Sequence, residues 1–569
     1  MYISHMSRRK WSRTAVTILF AFVCAYANAV PIILRMDASE AARKLYHAEL
    51  TIPVTPGPVT LIYPKWIPGE HAPTGPITDL AGLRMSASGR TVEWKRDSAE
   101  MFAFHMTVPP GTSSLDVKLD FLSTAETAGF SSAASATSEL AILSWNQVLL
   151  YPEGKASDDV EVTPQLKLPA DWKFGTALPV GRMDGSNIEF KTVSMTTLVD
   201  SPVLAGRHFR RIELTPGANP PHYLEIAADS DEALAAPPEL IAKYQKLIRE
   251  AHAIFGATHY REYHFLLALS DKIAHFGLEH HESSANQVGE RYLTDDSMRS
   301  TGTSVLAHEF MHSWNGKYRR PEGLATRDFQ QPMRGDLLWA YEGLTEYLGW
   351  VLTARTGLVT PERMRQSLAL SAAELDNRAG REWRSLADTA VSAQLLYDAR
   401  SDWEYKRRGT DFYEEGMLIW LEADTTIRKQ SGNRKSIEDF CRAFYGAPSS
   451  PPGVKPYTFE SLIQALNAVV PYDWKAFFES RLNRTGTDRA PLGGIEAGGY
   501  QLVYREGPFD AQTASVRNVD RISATYSIGL LLNEEGSVID VLPEKIAAKA
   551  GIGPGMKITA INGRVYSAA

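Results

Sequence analysis

Two spacings of apolar residues divide the chain. Across 30–235 they recur at every second position in short runs. Leu115, Val117, Leu119 and Phe121 alternate with polar neighbours, and 59–63 is a β-branched and aromatic run. Alternation of this kind gives a strand one face for a core and one for water. Turn signals interrupt it at short intervals, at Pro56-Gly57-Pro58, Pro68-Gly69 and Pro109-Pro110-Gly111, so this part predicts a sandwich-like β domain, and aromatics such as Trp66 are expected to be core residues and not a ligand platform. Pro237-Pro238 marks a boundary. Beyond it the apolar spacing becomes helical, over 239–255, 301–315, 336–355, 361–376, 411–430, 436–445 and 458–470, with one apolar strand at 263–269. From about Gly498 short strands and turns return, and no internal repeat is present. The expected units are 1–29, 30–236, 237–375, 376–495 and 496–569.

Composition places most of the chain among folded proteins: 569 residues, 44% hydrophobic and 22% charged. The first 29 residues differ. Arg8, Arg9, Lys10 and Arg13 precede an apolar stretch from Ala15 to Tyr26 and then Ala27-Asn28-Ala29. A charged start, a short apolar run and a small-x-small site predict a signal peptide cleaved after Ala29, hence an exported protein, periplasmic or secreted. The run is shorter than the ~20 residues that span a bilayer, and no other segment is long and apolar enough to do so. Removing it takes the formal net charge from −7 to −11. An acidic chain does not suit the phosphates of nucleic acid. Cys24 leaves with the leader, so Cys441 has no intrachain partner.

The most specific chemistry is His-Glu-Phe-Met-His at 308–312. Four residues advance a helix by ~6 Å and return to nearly the same face, so His308 and His312 can reach one Zn²⁺ at ~2.0–2.1 Å. Glu309 then stands where it can take a proton from a water that the metal activates. Leu306 and Phe310 point the other way, into a core. A catalytic zinc needs a third protein ligand and an open position. Glu342 and Glu346, one turn apart in the apolar helix 336–355, can supply a ligand and a hydrogen-bond acceptor for a ligating imidazole.

HEFMHSWNGKYRRP (308–321) together with LWAYEGLTEY (338–347) resembles the glycyl aminopeptidase family of zinc metallopeptidases, within the clan that uses two His and one Glu as ligands. The matching residues are Trp314, Asn315, Arg320 and Pro321 after the first motif, and Gly343, Thr345 and Tyr347 after Glu342. The resemblance implies His308, His312 and Glu342 as ligands of one zinc per chain and Glu309 as general base. It implies a multidomain α+β fold: an N-terminal β-sandwich-like domain, a thermolysin-like mixed α/β catalytic domain, a helical domain and a C-terminal PDZ-like β domain. Twenty-nine residues separate His312 from Glu342, more than in the best-known members of the clan, so the intervening loop must bulge out.

Two shorter segments extend the resemblance. Phe276-Gly277-Leu278-Glu279-His280 is similar to the glycine-to-glutamate segment that lies along the cleft as an edge strand, which implies Gly277 and Glu279 as substrate-binding, with Glu279 pairing with a free α-ammonium. Asp411-Phe412-Tyr413-Glu414-Glu415-Gly416 resembles the segment whose tyrosine faces the scissile carbonyl, which implies Tyr413 as an oxyanion donor. His280 and His281 are adjacent, do not share a face, and are not expected to ligate. The region 527–563, with Ile528-Gly529-Leu530 and Ile561-Asn562-Gly563, looks like a PDZ domain that could bind peptide C-termini, expected to be incomplete at Ala569. The expected activity is removal of N-terminal residues from peptides, small ones such as Gly or Ala by resemblance. The alternatives are a zinc endopeptidase and a non-catalytic PDZ-containing binding protein.

Overall fold

The computed structural model describes residues 30–127, 133–299, 303–397, 399–400, 402–486, 489–506 and 521–567. The expected signal peptide, 1–29, lies outside them. The N-terminal part is β-rich. Its largest sheet has nine strands and is built around Leu45–Pro53, which pairs antiparallel along its whole length with Ser114–Leu122. In the latter strand Leu115, Val117, Leu119 and Phe121 are buried and Asp116 and Lys118 exposed, the pattern that alternation dictates. A four-stranded and a three-stranded sheet close over the same core, which joins Leu34 and Leu50 to Phe104 and Leu143.

A five-stranded sheet comes next, in the order His208–Glu213, His222–Ala228, Tyr263–Leu269, Ser283–Val288, Gly277–Glu279. Its centre is parallel, and Tyr263–Leu269 is buried at every position, as a strand covered on both faces must be. The first two strands precede the boundary expected at 236, so that boundary falls inside a region that belongs to this sheet. Alternation reports the two faces of a strand and not the sheet it joins, and Pro237-Pro238 starts the helix Pro238–Phe255 with a proline in its first turn. Gly256, at φ 70°, ends that helix in the left-handed conformation.

Helices supply the rest of this region: Val305–Met311, Leu338–Thr356, Pro361–Asp376, Glu414–Ser431, Ile437–Tyr445, Phe459–Val469 and Trp474–Leu482. The division expected at 375/376 is not a division of the core. Trp314 and Trp339 share one apolar cluster with Leu386, Trp420 and Trp474. At the C-terminal end, Arg521–Ala524, Leu530–Asn533 and Val538–Val541 form a small sheet with its own core of Leu530, Leu532, Val538, Val541 and Ala547. No helix among the described residues is long and apolar enough to cross a membrane.

The β-rich part and the sheet-and-helix part exchange side chains. Trp66, from the former, is buried in the core of the latter. Phe329, from the long loop between His312 and Glu342, is buried in the β-rich core. The Phe329 carbonyl accepts from the amides of Lys65 at 3.1 Å and Trp66 at 2.8 Å, and Gln330 Nε2 donates to the Tyr63 carbonyl at 2.6 Å. The loop that had to bulge out is therefore the clasp between the two parts.

Candidate active site

The motif helix Val305–Met311 is shorter than the expected 301–315, of which 301 and 302 lie outside the described residues. His312 caps it, and the amides of Ser313 and Trp314 bond three residues back, tightening the chain into turns. This leaves the Asn315 carbonyl free to accept from His312 Nδ1 at 2.8 Å. His308 Nδ1 donates to Glu346 Oε2 at 2.7 Å. Carbonyl and carboxylate oxygens only accept, so each Nδ1 carries a proton and each Nε2 is available as a ligand.

Those two nitrogens and one oxygen of Glu342 form a nearly equilateral triangle. The Nε2 atoms are 3.1 Å apart, and Glu342 Oε2 lies 3.3 Å from His308 Nε2 and 3.2 Å from His312 Nε2. Ligands each ~2.1 Å from one tetrahedral metal stand about 3.4 Å from one another. Glu342 Oε2 is also buried without a hydrogen bond. A convergence of two imidazole nitrogens and an unsatisfied carboxylate oxygen fits a divalent cation. Burial opposes charge on Glu342, yet His312 and then His308 hold its carboxyl well below the usual carboxylate range.

Glu309 is buried beside this triangle, and burial pushes its carboxyl up to about 7 against the pull of His308 and His312. Gly277 is packed on it: a β-carbon at position 277 would lie 2.1 Å from Glu309 Oε1. The strand Gly277–Glu279 is the edge of the five-stranded sheet. Glu279 accepts a hydrogen bond from the Tyr341 hydroxyl, and one of its oxygens lies within 4.8 Å of donor atoms of Glu309 and His312. Burial works against its charge, but Lys317 and then His312 keep its carboxyl below the usual range. Lys317 is itself buried, with its ammonium 3.1 Å from Asp200. His280 and His281 flank the same Asp200, 3.4 and 2.9 Å away, and stand outside the donor triangle.

Tyr413 caps the helix Glu414–Ser431, with its ring 6.0 Å from that of His308 and its hydroxyl 2.7 Å from that of Tyr397. Four residues of this neighbourhood, Tyr341, Lys317, Tyr397 and His71, were not anticipated as site residues. Tyr341 and Lys317 lie inside the quoted motifs, one before Glu342 and five after His312. His71 comes from the β-rich part, 271 positions before Glu342, and its Nε2 is 2.5 Å from Glu342 Oε1. No local pattern announces such a partner.

Asn315 ties these elements together. Its side-chain amide donates to the carbonyls of Ala340 at 2.9 Å and Tyr341 at 3.0 Å and to Thr345 Oγ1 at 3.1 Å, while Tyr445 donates to its oxygen at 3.0 Å. The turn after the motif is thus bolted to the helix that carries Glu342.

A buried carboxylate beside two imidazoles and a second carboxylate, at the edge of a sheet, is an arrangement that suits a metallopeptidase. Comparison with known families makes this narrower. The model of the M61 glycyl aminopeptidase domain matches residues 301–419, and that of the peptidase M61 N-terminal domain matches 34–207. Together they account for just over half of the chain, which belongs to the M61 glycyl aminopeptidase family. Among solved structures, an aminopeptidase N family protein from Idiomarina loihiensis is similar in fold, with a TM-score of 0.75 at 19% identity over 94% of this chain and 90% of that one. An M1 zinc metallopeptidase from Deinococcus radiodurans aligns at a TM-score of 0.49 and 13% identity over 81% of this chain and 95% of that one. No curated protein matches the chain by sequence.

Proposed function

We propose that the protein is a zinc-dependent aminopeptidase that removes N-terminal residues from peptides. Glu279 carries the aminopeptidase reading. It is an anionic carboxylate fixed by Tyr341 on a sheet edge, one group away from the buried base. An α-ammonium paired with it would bring the first peptide bond to Glu309, while the edge backbone at Gly277 holds the chain extended. The donor set of two imidazoles and one carboxylate suits zinc. Zinc, when bound, acidifies a water and polarises the carbonyl that the water attacks. Glu309 takes the proton from that water and passes it to the departing amine. Tyr413 donates a hydrogen bond to the developing oxyanion, a contact of a kind worth ~2.7–4 kcal/mol. Preference for small N-terminal residues such as Gly or Ala rests on membership of a family described as glycyl aminopeptidases.

The test pairs metal content with turnover. The protein should hold one zinc per chain and hydrolyse Gly- and Ala-arylamides but not N-acetylated peptides. Glu309→Gln should keep the metal and lose ~10²–10⁴-fold in kcat. A wild-type protein without metal would end the zinc reading. Efficient cleavage of N-acetylated peptides would make the enzyme an endopeptidase instead.

A further inference from the structure

The segment 65–75 of the β-rich part is a closed loop. Trp66 plugs it into the neighbouring core, the Phe329 carbonyl holds its entry, and the amide of Gly75 returns to the Lys65 carbonyl at 3.0 Å. Its tip, Gly69-Glu70-His71, touches two carboxylates of the site. A β-carbon on Gly69 would lie 2.8 Å from Glu279 Oε2, and His71 Nε2 stands 2.5 Å from Glu342 Oε1.

His71 is held there at a cost. It is a non-glycine residue at φ 54°, in the left-handed region that side chains rarely adopt. It is 4% exposed, and its Nδ1 is buried with no hydrogen-bond partner. A residue kept for packing alone would avoid the second penalty as Phe or Leu, since neither leaves a buried nitrogen without a partner. What the arrangement secures is one hydrogen bond. A carboxylate can only accept, so Nε2 donates to Oε1.

We propose that His71 is a positioning residue of the metal centre, supplied by the β-rich part to fix the rotation of the Glu342 carboxylate. With Oε1 taken by His71, only Oε2 faces the two Nε2 atoms, at the 3.2–3.3 Å that the triangle requires. Tyr341, whose ring meets that of His71 edge-on at 5.3 Å, walls the imidazole on the side toward His312, whose ring is 4.8 Å from Tyr341. The metal site is then complete only when the two parts of the molecule are docked. This deepens the zinc reading and rests on the same donor triangle, but not on the substrate.

The experiment measures zinc affinity of the full chain by competition with a chromophoric chelator, for wild type, His71→Ala, His71→Phe and His71→Gln. The amide nitrogen of Gln can replace the donor at Nε2, whereas Phe keeps only the ring. Loss of a partner that orients a ligand typically weakens metal binding ~10–100-fold. Ala and Phe should show that loss, and Gln should recover to within about threefold of wild type by the same scale. Thermal unfolding of the metal-free proteins identifies any variant that fails to fold, and Phe against Gln then decides. Affinities of Ala and Phe within threefold of wild type would overturn the proposal, as would an equal loss in Gln. If the wild type binds zinc but cleaves no arylamide, the aminopeptidase reading fails while the affinity series still supports His71.

Discussion

At Gly277 the backbone runs so close to Glu309, the proposed base, that a β-carbon would collide with its carboxylate. A β-carbon there would sit 2.1 Å from Glu309 Oε1 and 2.5 Å from its Cδ, so Gly277→Ala must turn the carboxylate aside. General-base catalysis contributes ~10²–10⁴-fold, and we expect kcat to fall by ~10²-fold with zinc content unchanged. Activity at half the wild-type level would show that Glu309 tolerates the shift. Residues of this kind differ in how far sequence reveals them. His308, Glu309 and His312 announce themselves because helical spacing alone puts them together, and Glu342 and Glu346 because two acids one turn apart in an apolar helix need partners. His71 has no such context. Its partner is 271 positions away, and only the folded arrangement of two parts brings them to 2.5 Å.

Among elements, the contact between Leu338–Thr356 and Glu414–Ser431 sets the distance between Glu342 and Tyr413. The two helices meet at Gly343 and Gly416, where a β-carbon on the first would lie 2.6 Å from Cα of the second. Glycine inside a helix costs ~1 kcal/mol relative to alanine, so on propensity alone Gly343→Ala would stabilise. The close approach reverses the sign. We expect Gly343→Ala to lower the free energy of unfolding by ~1–3 kcal/mol, as overpacking does, and to reduce kcat because Glu342 is its neighbour. Chemical denaturation checks the first part, and a gain in stability would refute the helix contact. Both helices were legible from apolar spacing to within a few residues. The motif helix was not: 301–315 was expected, but regular helix covers Val305–Met311. Helical periodicity cannot show that the Asn315 carbonyl is needed by His312, nor that the Asn315 side chain is needed by the carbonyls of Ala340 and Tyr341.

On the scale of the whole molecule, the seam lies where sequence signals are weakest. The strands His208–Glu213 and His222–Ala228 read as more of the same β pattern, yet they belong to the sheet under the motif helix. His222 begins the second of them. Its ring stands edge-on to Phe310 of that helix at 6.0 Å, and its Nε2 meets the Tyr260 hydroxyl at 3.0 Å. Burial, and then the neighbouring His252, pull its pKa from 6.5 down to about 3. The sign follows from which state binds the proton. Below pH 6.5 the unfolded chain protonates this imidazole, while the folded protein keeps it neutral until about pH 3, so the contribution to stability is whole above 6.5 and declines as pH falls through that window. At 1.36 kcal/mol per unit, going from pH 6.5 to 5 removes about 2 kcal/mol. Urea unfolding at pH 7 and pH 5 should therefore show a shallower pH dependence for His222→Gln than for wild type, by about that amount, whatever the variant does to stability at pH 7. Parallel dependences would mean that the acid sensitivity of this sheet comes from other groups, with the carboxylates held below their usual range around Asp200 and Lys317 as the next place to look.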